Sequence, residues 1–134
     1  MSSFEIEIKQ DFLVEALMNL EEVQRLFEGV SASSNFKAGV EKMFYVAHNL
    51  KGGSLSVGFG EIAEFTNLLE TLIIKIKTSK VELSADIVNV LLRSNSRLIE
   101  MIKQLQTNFA AKFDNNDYMS DLQSCYVSIS SRAS

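Results

Sequence analysis

Apolar residues recur at steps of three and four along almost the whole chain, and no proline interrupts them. That spacing puts one apolar stripe along each α-helix, so the chain is constrained to fold as amphipathic helices that bury their stripes against one another. Phe12, Leu13, Ala16, Leu17, Leu20, Val23, Phe27 and Val30 mark a first helix from about Ile8 to Val30, ended by Gly29 and the run Ser31-Ala32-Ser33-Ser34. The serines suit a turn and the cap of a second helix, which enters near Asn35 and carries Phe36, Val40, Met43, Phe44, Ala47, Leu50 and Leu55 on its buried side. A break at Val57-Gly58-Phe59-Gly60 precedes a third helix, whose stripe of Ile62, Phe65, Leu69, Leu72, Ile73 and Ile76 runs to about Thr78. Ser84 is the N-cap expected for a fourth, with Asp86 in its first turn and a long stripe from Ile87 through Val90, Leu91, Leu98, Ile102 and Leu105 to Phe109, interrupted at Ser94. Asp114-Asn115-Asn116 reads as a turn, and Tyr118, Leu122, Cys125, Tyr126 and Ile129 as a short fifth helix.

The expected fold is therefore all-α: an antiparallel four-helix bundle with a short fifth C-terminal helix alongside. With 134 residues the chain makes one domain, over 1–130, that can bury a core without disulfides or metals, and the serine-rich residues 131–134 read as linker or tail. A net charge of −4 with acidic and basic residues interspersed excludes the basic footprint of a nucleic-acid binder. Cys125 is the single cysteine, at core spacing, and fits a reducing compartment. The start, Met1-Ser2-Ser3-Phe4-Glu5, lacks the features of a signal peptide, and no apolar run approaches the roughly 18 residues that span a bilayer. A cytoplasmic protein without membrane insertion is expected.

The chemistry concentrates in Ala47-His48-Asn49-Leu50-Lys51-Gly52-Gly53, which holds the only histidine. His48 falls at the edge of the buried stripe, where the protein can hold one side of the imidazole and leave the other to solvent. Lys51 follows at the spacing of helical neighbours, so its ammonium can reach whatever His48 carries, and the pair suits an anionic adduct. Glycine inside a helix costs about 1 kcal/mol relative to alanine, so Gly52 and Gly53 break a local rule beside the candidate site. Two readings stay open for them: bare backbone that lets a second protein approach the ring, or a close crossing of two helices.

The string Phe44-Tyr45-Val46-Ala47-His48-Asn49-Leu50-Lys51-Gly52-Gly53-Ser54-Leu55-Ser56-Val57-Gly58-Phe59, followed by Thr66-Asn67-Leu68-Leu69-Glu70, resembles a histidine phosphotransfer (HPt) domain. It is most similar to the amino-terminal phosphotransfer domain of CheA-type chemotaxis histidine kinases. The resemblance implies that His48 is the phosphoacceptor, that Lys51 steadies the phosphoryl group, and that Glu70 holds the other ring nitrogen of His48. A carboxylate accepting the Nδ1 proton would fix the tautomer that leaves Nε2 as nucleophile. Such kinases usually carry a second histidine one turn before the glutamate, where this chain has Asn67; an amide there can donate a hydrogen bond to Glu70 but cannot take a proton.

The implied function is a phosphohistidine carrier in two-component signalling, with chemotaxis the expected pathway. An ATP-binding histidine kinase domain would load His48, and an aspartate of a CheY-like response regulator receiver domain would unload it. The domain itself is expected to be monomeric, with no cofactor and no metal, and to be substrate and carrier rather than the kinase catalyst. A standalone phosphorelay protein and a non-catalytic helical adaptor are the alternatives. Gly58-Phe59-Gly60-Glu61-Ile62-Ala63 meets a loose dinucleotide pattern but follows a helix where that fingerprint needs a strand. No Gly-Lys-Ser/Thr is present, which argues against a phosphate-cradling loop, and one histidine far in sequence from one cysteine argues against a metal site.

Overall fold

The computed structural model describes residues 1–28 and 33–133, which form five helices: α1 (Ser3–Glu28), α2 (Ser33–Val57), α3 (Gly60–Thr78), α4 (Ala85–Thr107) and α5 (Asn116–Ala133). The expected turn residues Gly29, Val30, Ser31 and Ala32 lie outside the described residues. α1 starts at Ser3, ahead of the expected Ile8, because Ser2 caps it: the Glu5 amide donates to Ser2 Oγ at 3.1 Å, and that hydroxyl donates to the Glu5 carboxylate at 3.3 Å. α2 begins at Ser33, ahead of the expected entry near Asn35. Residues 131–133, expected as linker or tail, continue α5 to Ala133. Ser130 Oγ donates back to the Tyr126 carbonyl at 3.0 Å, so its hydroxyl is absorbed by the helix.

Pairs of contacts fix the directions of the helices. Lys9 near the start of α1 meets the Val57 carbonyl at the end of α2, while α2 and α3 are joined by Glu41 to Lys77 and by His48 to Glu70. Both pairs of helices therefore run antiparallel. Phe59 lies 6.1 Å from Phe109, centroid to centroid, which places the α2–α3 turn against the end of α4. α1 packs on α2 and α4, α3 packs on α2 and more lightly on α4, and α5 lies against α3 and α4. Arg93 pairs with Asp121, and Arg97 donates to Asn115 Oδ1 at 2.8 Å and to the Asp114 carbonyl at 3.2 Å, tying α5 back to α4.

Leu13, Leu20, Phe65, Leu69, Ile73, Leu91, Leu98, Met101 and Ile102 are among the buried residues that fill the centre. Leu55, expected on the core side of α2, is 65% exposed, and Ser54 is buried instead. From Leu50 a step of four returns to the same side of the helix, whereas a step of five turns about 140° away. Among the described residues the buried Ser54 hydroxyl has no hydrogen-bond partner. Among the described residues, no helix is long and apolar enough to cross a membrane.

α2 ends in a Schellman motif. The Phe59 amide reaches the Ser54 carbonyl at 2.8 Å and the Gly58 amide the Leu55 carbonyl at 3.4 Å, with Gly58 at φ 87°, a conformation in which a Cβ would clash. Lys9 adds its ammonium at this negative end of the helix, bonded to the Val57 carbonyl and 4.8 Å from the Phe59 ring centroid.

Gly52 and Gly53 do different things. A Cβ on Gly53 would stand 2.5 Å from Phe12 Cε2, so bare backbone there lets α1 and α2 close together, whereas a Cβ on Gly52 would meet nothing within 4 Å. Gly52→Ala should accordingly raise stability by about 0.5–1 kcal/mol through helix propensity. Gly53→Ala should lower it by about 1–3 kcal/mol through overpacking against Phe12. Urea denaturation of the two variants checks this; shifts of the same sign would mean that the Phe12 ring moves aside freely.

Candidate functional site

α2 and α3 meet through a short ladder of side chains that their antiparallel register brings into line. His48 lies 22 residues before Glu70 in sequence, and its Nδ1 is 2.7 Å from Glu70 Oε2. The other oxygen, Glu70 Oε1, accepts a hydrogen bond from Lys51 Nζ at 2.6 Å. Two turns toward the start of α2, the Lys77 ammonium sits 3.1 Å from the Glu41 carboxylate.

Burial differs sharply along this ladder. The Glu70 side chain is 9% exposed, the Lys51 side chain 29% and the His48 side chain 64%. Burying a carboxylate is costly unless it is paired and hydrogen-bonded, and both Glu70 oxygens are. Burial pushes the Glu70 carboxyl up, but the hydrogen bonds and charges of Lys51 and His48 outweigh it and hold the carboxyl below its ordinary 4.5. An ionised carboxylate only accepts hydrogen bonds, so His48 Nδ1 carries the proton. In the neutral ring a proton on Nδ1 leaves the lone pair on Nε2, which makes no hydrogen bond among the described residues.

The structure thus brings His48, Lys51 and Glu70 together, as the sequence suggests. It places Asn67 differently. Asn67 is exposed, and its carbonyl accepts from Thr71 Oγ1 at 2.9 Å, but among the described residues its amide makes no hydrogen bond to Glu70. The Glu70 oxygens are already engaged by two donors from α2, and the short amide stays in water. Lys51, expected to face an incoming phosphoryl group, is joined to Glu70 in this state. Gly52 leaves open space one turn beyond His48, whereas Gly53 serves the α1–α2 contact. Phe44, expected on the buried side of α2, also belongs here, with its ring 6.4 Å from that of His48, as does Lys77, which nothing in the sequence singles out. The signal for Phe44 is its four-residue step to His48, which places the two on one side of α2.

The family model of the Hpt domain matches residues 7–108, a span that holds every member of this ladder. The chain belongs to the Hpt domain family. This Hpt domain is 30% identical over 112 residues to the chemotaxis protein CheA of Borreliella burgdorferi, a match covering 84% of this chain and 11% of that protein. It is 28% identical over 116 residues to the chemotaxis protein CheA of Treponema pallidum, covering 87% of this chain and 14% of that one. The matched region is thus a small part of these relatives. In fold it matches the crystal structure of the phosphorylated P1 domain of CheA3 in complex with CheY6 from R. sphaeroides, with TM-score 0.74 and 21% identity over 99% of this chain and 100% of the other.

The Glu70 pairing makes a pH prediction. Because the folded-state pKa is depressed, the stability this carboxylate contributes is present above its ordinary 4.5 and is lost as pH falls through the lower folded value. The stability advantage of the native protein over Glu70→Gln should therefore be full near neutrality and shrink below about pH 4.5. Denaturant midpoints of both proteins across that range measure it; an advantage that held constant into acid would mean that the carboxylate is not ionised by its partners.

Proposed function

We propose that this Hpt domain is a phosphohistidine carrier in chemotaxis signalling, and the observation that carries the reading is the exposed His48 ring tethered at Nδ1 by the buried Glu70. The Nε2 lone pair attacks the γ-phosphorus of ATP held by a histidine kinase domain, the bond to the bridging oxygen breaks, and its electrons leave with ADP. Nδ1 keeps its proton, so the phosphorylated ring gains positive charge, which the Glu70 carboxylate offsets. An aspartate oxygen of a response-regulator receiver domain then attacks the same phosphorus, and the N–P bond electrons return to Nε2.

Phosphoryl transfer depends chiefly on positioning and on charge placed near the transferring oxygens. Lys51 supplies that charge from one turn beyond His48, and its bond to Glu70 holds it beside the ring until the phosphoryl group arrives. Gly52 leaves room for the partner's surface. The resemblance to CheA proteins, and the fold shared with a P1 domain bound to a CheY protein, favour a kinase domain as donor and a CheY-like receiver as acceptor. Both contacts are transient, with the domain itself monomeric and cytoplasmic, where ATP and the receiver are found.

Incubation with a CheA kinase domain and radiolabelled ATP should give an acid-labile, base-stable label that a CheY-like receiver removes. His48→Gln should take up none. Glu70→Ala should keep the fold and slow labelling by about 10- to 100-fold, since the ring loses the group that orients it. Label retained on the His48→Gln protein would overturn the assignment, and an unchanged rate for Glu70→Ala would remove the carboxylate from the mechanism.

A further inference from the structure

Glu70 constrains His48 through a single hydrogen bond at Nδ1. One such bond fixes the tautomer and one atom, but the ring plane remains able to turn about the bond, carrying Nε2 along an arc. A side chain that is 64% exposed has few other surfaces to stop it. Among the described residues the aromatic ring packed against it belongs to Phe44, one turn earlier on α2, with planes 19° apart and centroids 6.4 Å apart.

Phe44 is itself held. The Lys77 ammonium, reaching across from α3, lies 4.1 Å from its ring centroid. Lys77 is anchored in turn by Glu41, at 3.1 Å to either carboxylate oxygen. Tyr45 meets the Phe44 ring edge-on, with centroids 5.5 Å apart. The ring is half-buried against the core. This run of contacts, from Glu41 through Lys77 and Phe44, ends at the imidazole.

We propose that Phe44, pinned by Lys77, is a positioning residue for phosphoryl transfer: it sets the plane of the His48 ring, while Glu70 sets its tautomer. The two constraints are of different kinds, one a directed hydrogen bond and one a flat contact, and together they define the direction of Nε2. The inference rests on the phosphocarrier reading for its kinetic consequence, but not for its structural one.

The test compares Phe44→Tyr, which keeps the ring, with Phe44→Leu, which keeps apolar bulk without a plane. Thermal melts establish that each is folded. In the kinase-domain labelling assay, Phe44→Tyr should stay within about 2-fold of the native rate, whereas Phe44→Leu should lower kcat about 3- to 10-fold with KM for the kinase domain unchanged. In the unphosphorylated proteins, NMR relaxation of the imidazole carbons should show the His48 ring less ordered in Phe44→Leu than in Phe44→Tyr, with the Nδ1–H signal retained in both. Equal ring order in the two variants, or equal kcat with labelling intact, would overturn the inference. Absence of label on the native protein would instead strike the phosphocarrier reading, and ring order would still decide the role of Phe44.

Discussion

A buried carboxylate shared between an imidazole and an ammonium is the interaction on which the candidate site depends. Glu70 comes from α3, and both of its partners come from α2. Neither helix could keep this arrangement alone: an unpaired Glu70 would be driven toward its protonated form by burial, and an unpaired His48 would turn freely in water. The pairing holds only because α3 lies antiparallel to α2 in one register. In that register Glu41 meets Lys77 and His48 meets Glu70, so the ladder both reports the alignment and helps to keep it.

The remaining helices hold α2 steady while leaving one of its faces open. α1 presses Phe12 against the bare backbone of Gly53, and its Lys9 engages the last carbonyl of α2. α4 completes the core behind, through Leu91, Leu98 and Ile102. α5 covers the far side of α3 and is tied to α4 by Arg93 and Arg97. The carrier role proposed above would need this division: a rigid back that fixes the imidazole and an accessible front. Local rigidity here comes from packing and charge pairing rather than from a cavity that would enclose the reacting atom.

Much of this was legible in residue order. Period-three-and-four apolar spacing identified five helices, Gly58 and Ser84 marked ends that depend on local backbone chemistry, and the motif around His48 pointed to Glu70. What was missed follows from the limits of the same signals. The start of α1 lay in two turns whose Phe4, Ile6 and Ile8 are exposed, so hydrophobic spacing gave no sign of the Ser2–Glu5 cap. Leu55 was assigned to the core by its chemistry and turned outward by its phase along the helix. The serines near the C-terminus suggested linker, but a serine whose hydroxyl bonds back to its own helix is compatible with α5. Phe44 reads as core, and nothing in residue order singles out Lys77, because its contact with the Phe44 ring arises across a helix pair.

By itself the sequence determined that the chain makes helices, roughly where each one breaks, and which histidine stands at the edge of a buried stripe. Those properties are local: they depend on spacing within about one or two turns and on the backbone preferences of glycine and serine. Only the tertiary structure decided that Lys51 leans on Glu70 in the resting state, that Asn67 stays apart, that Gly53 is a crossing point and Gly52 open surface, and that a lysine 29 residues beyond His48 pins the ring beside it. Each of these is a distance between groups on different helices, and such distances are set by how the helices pack and in what register, which residue order along one helix does not specify.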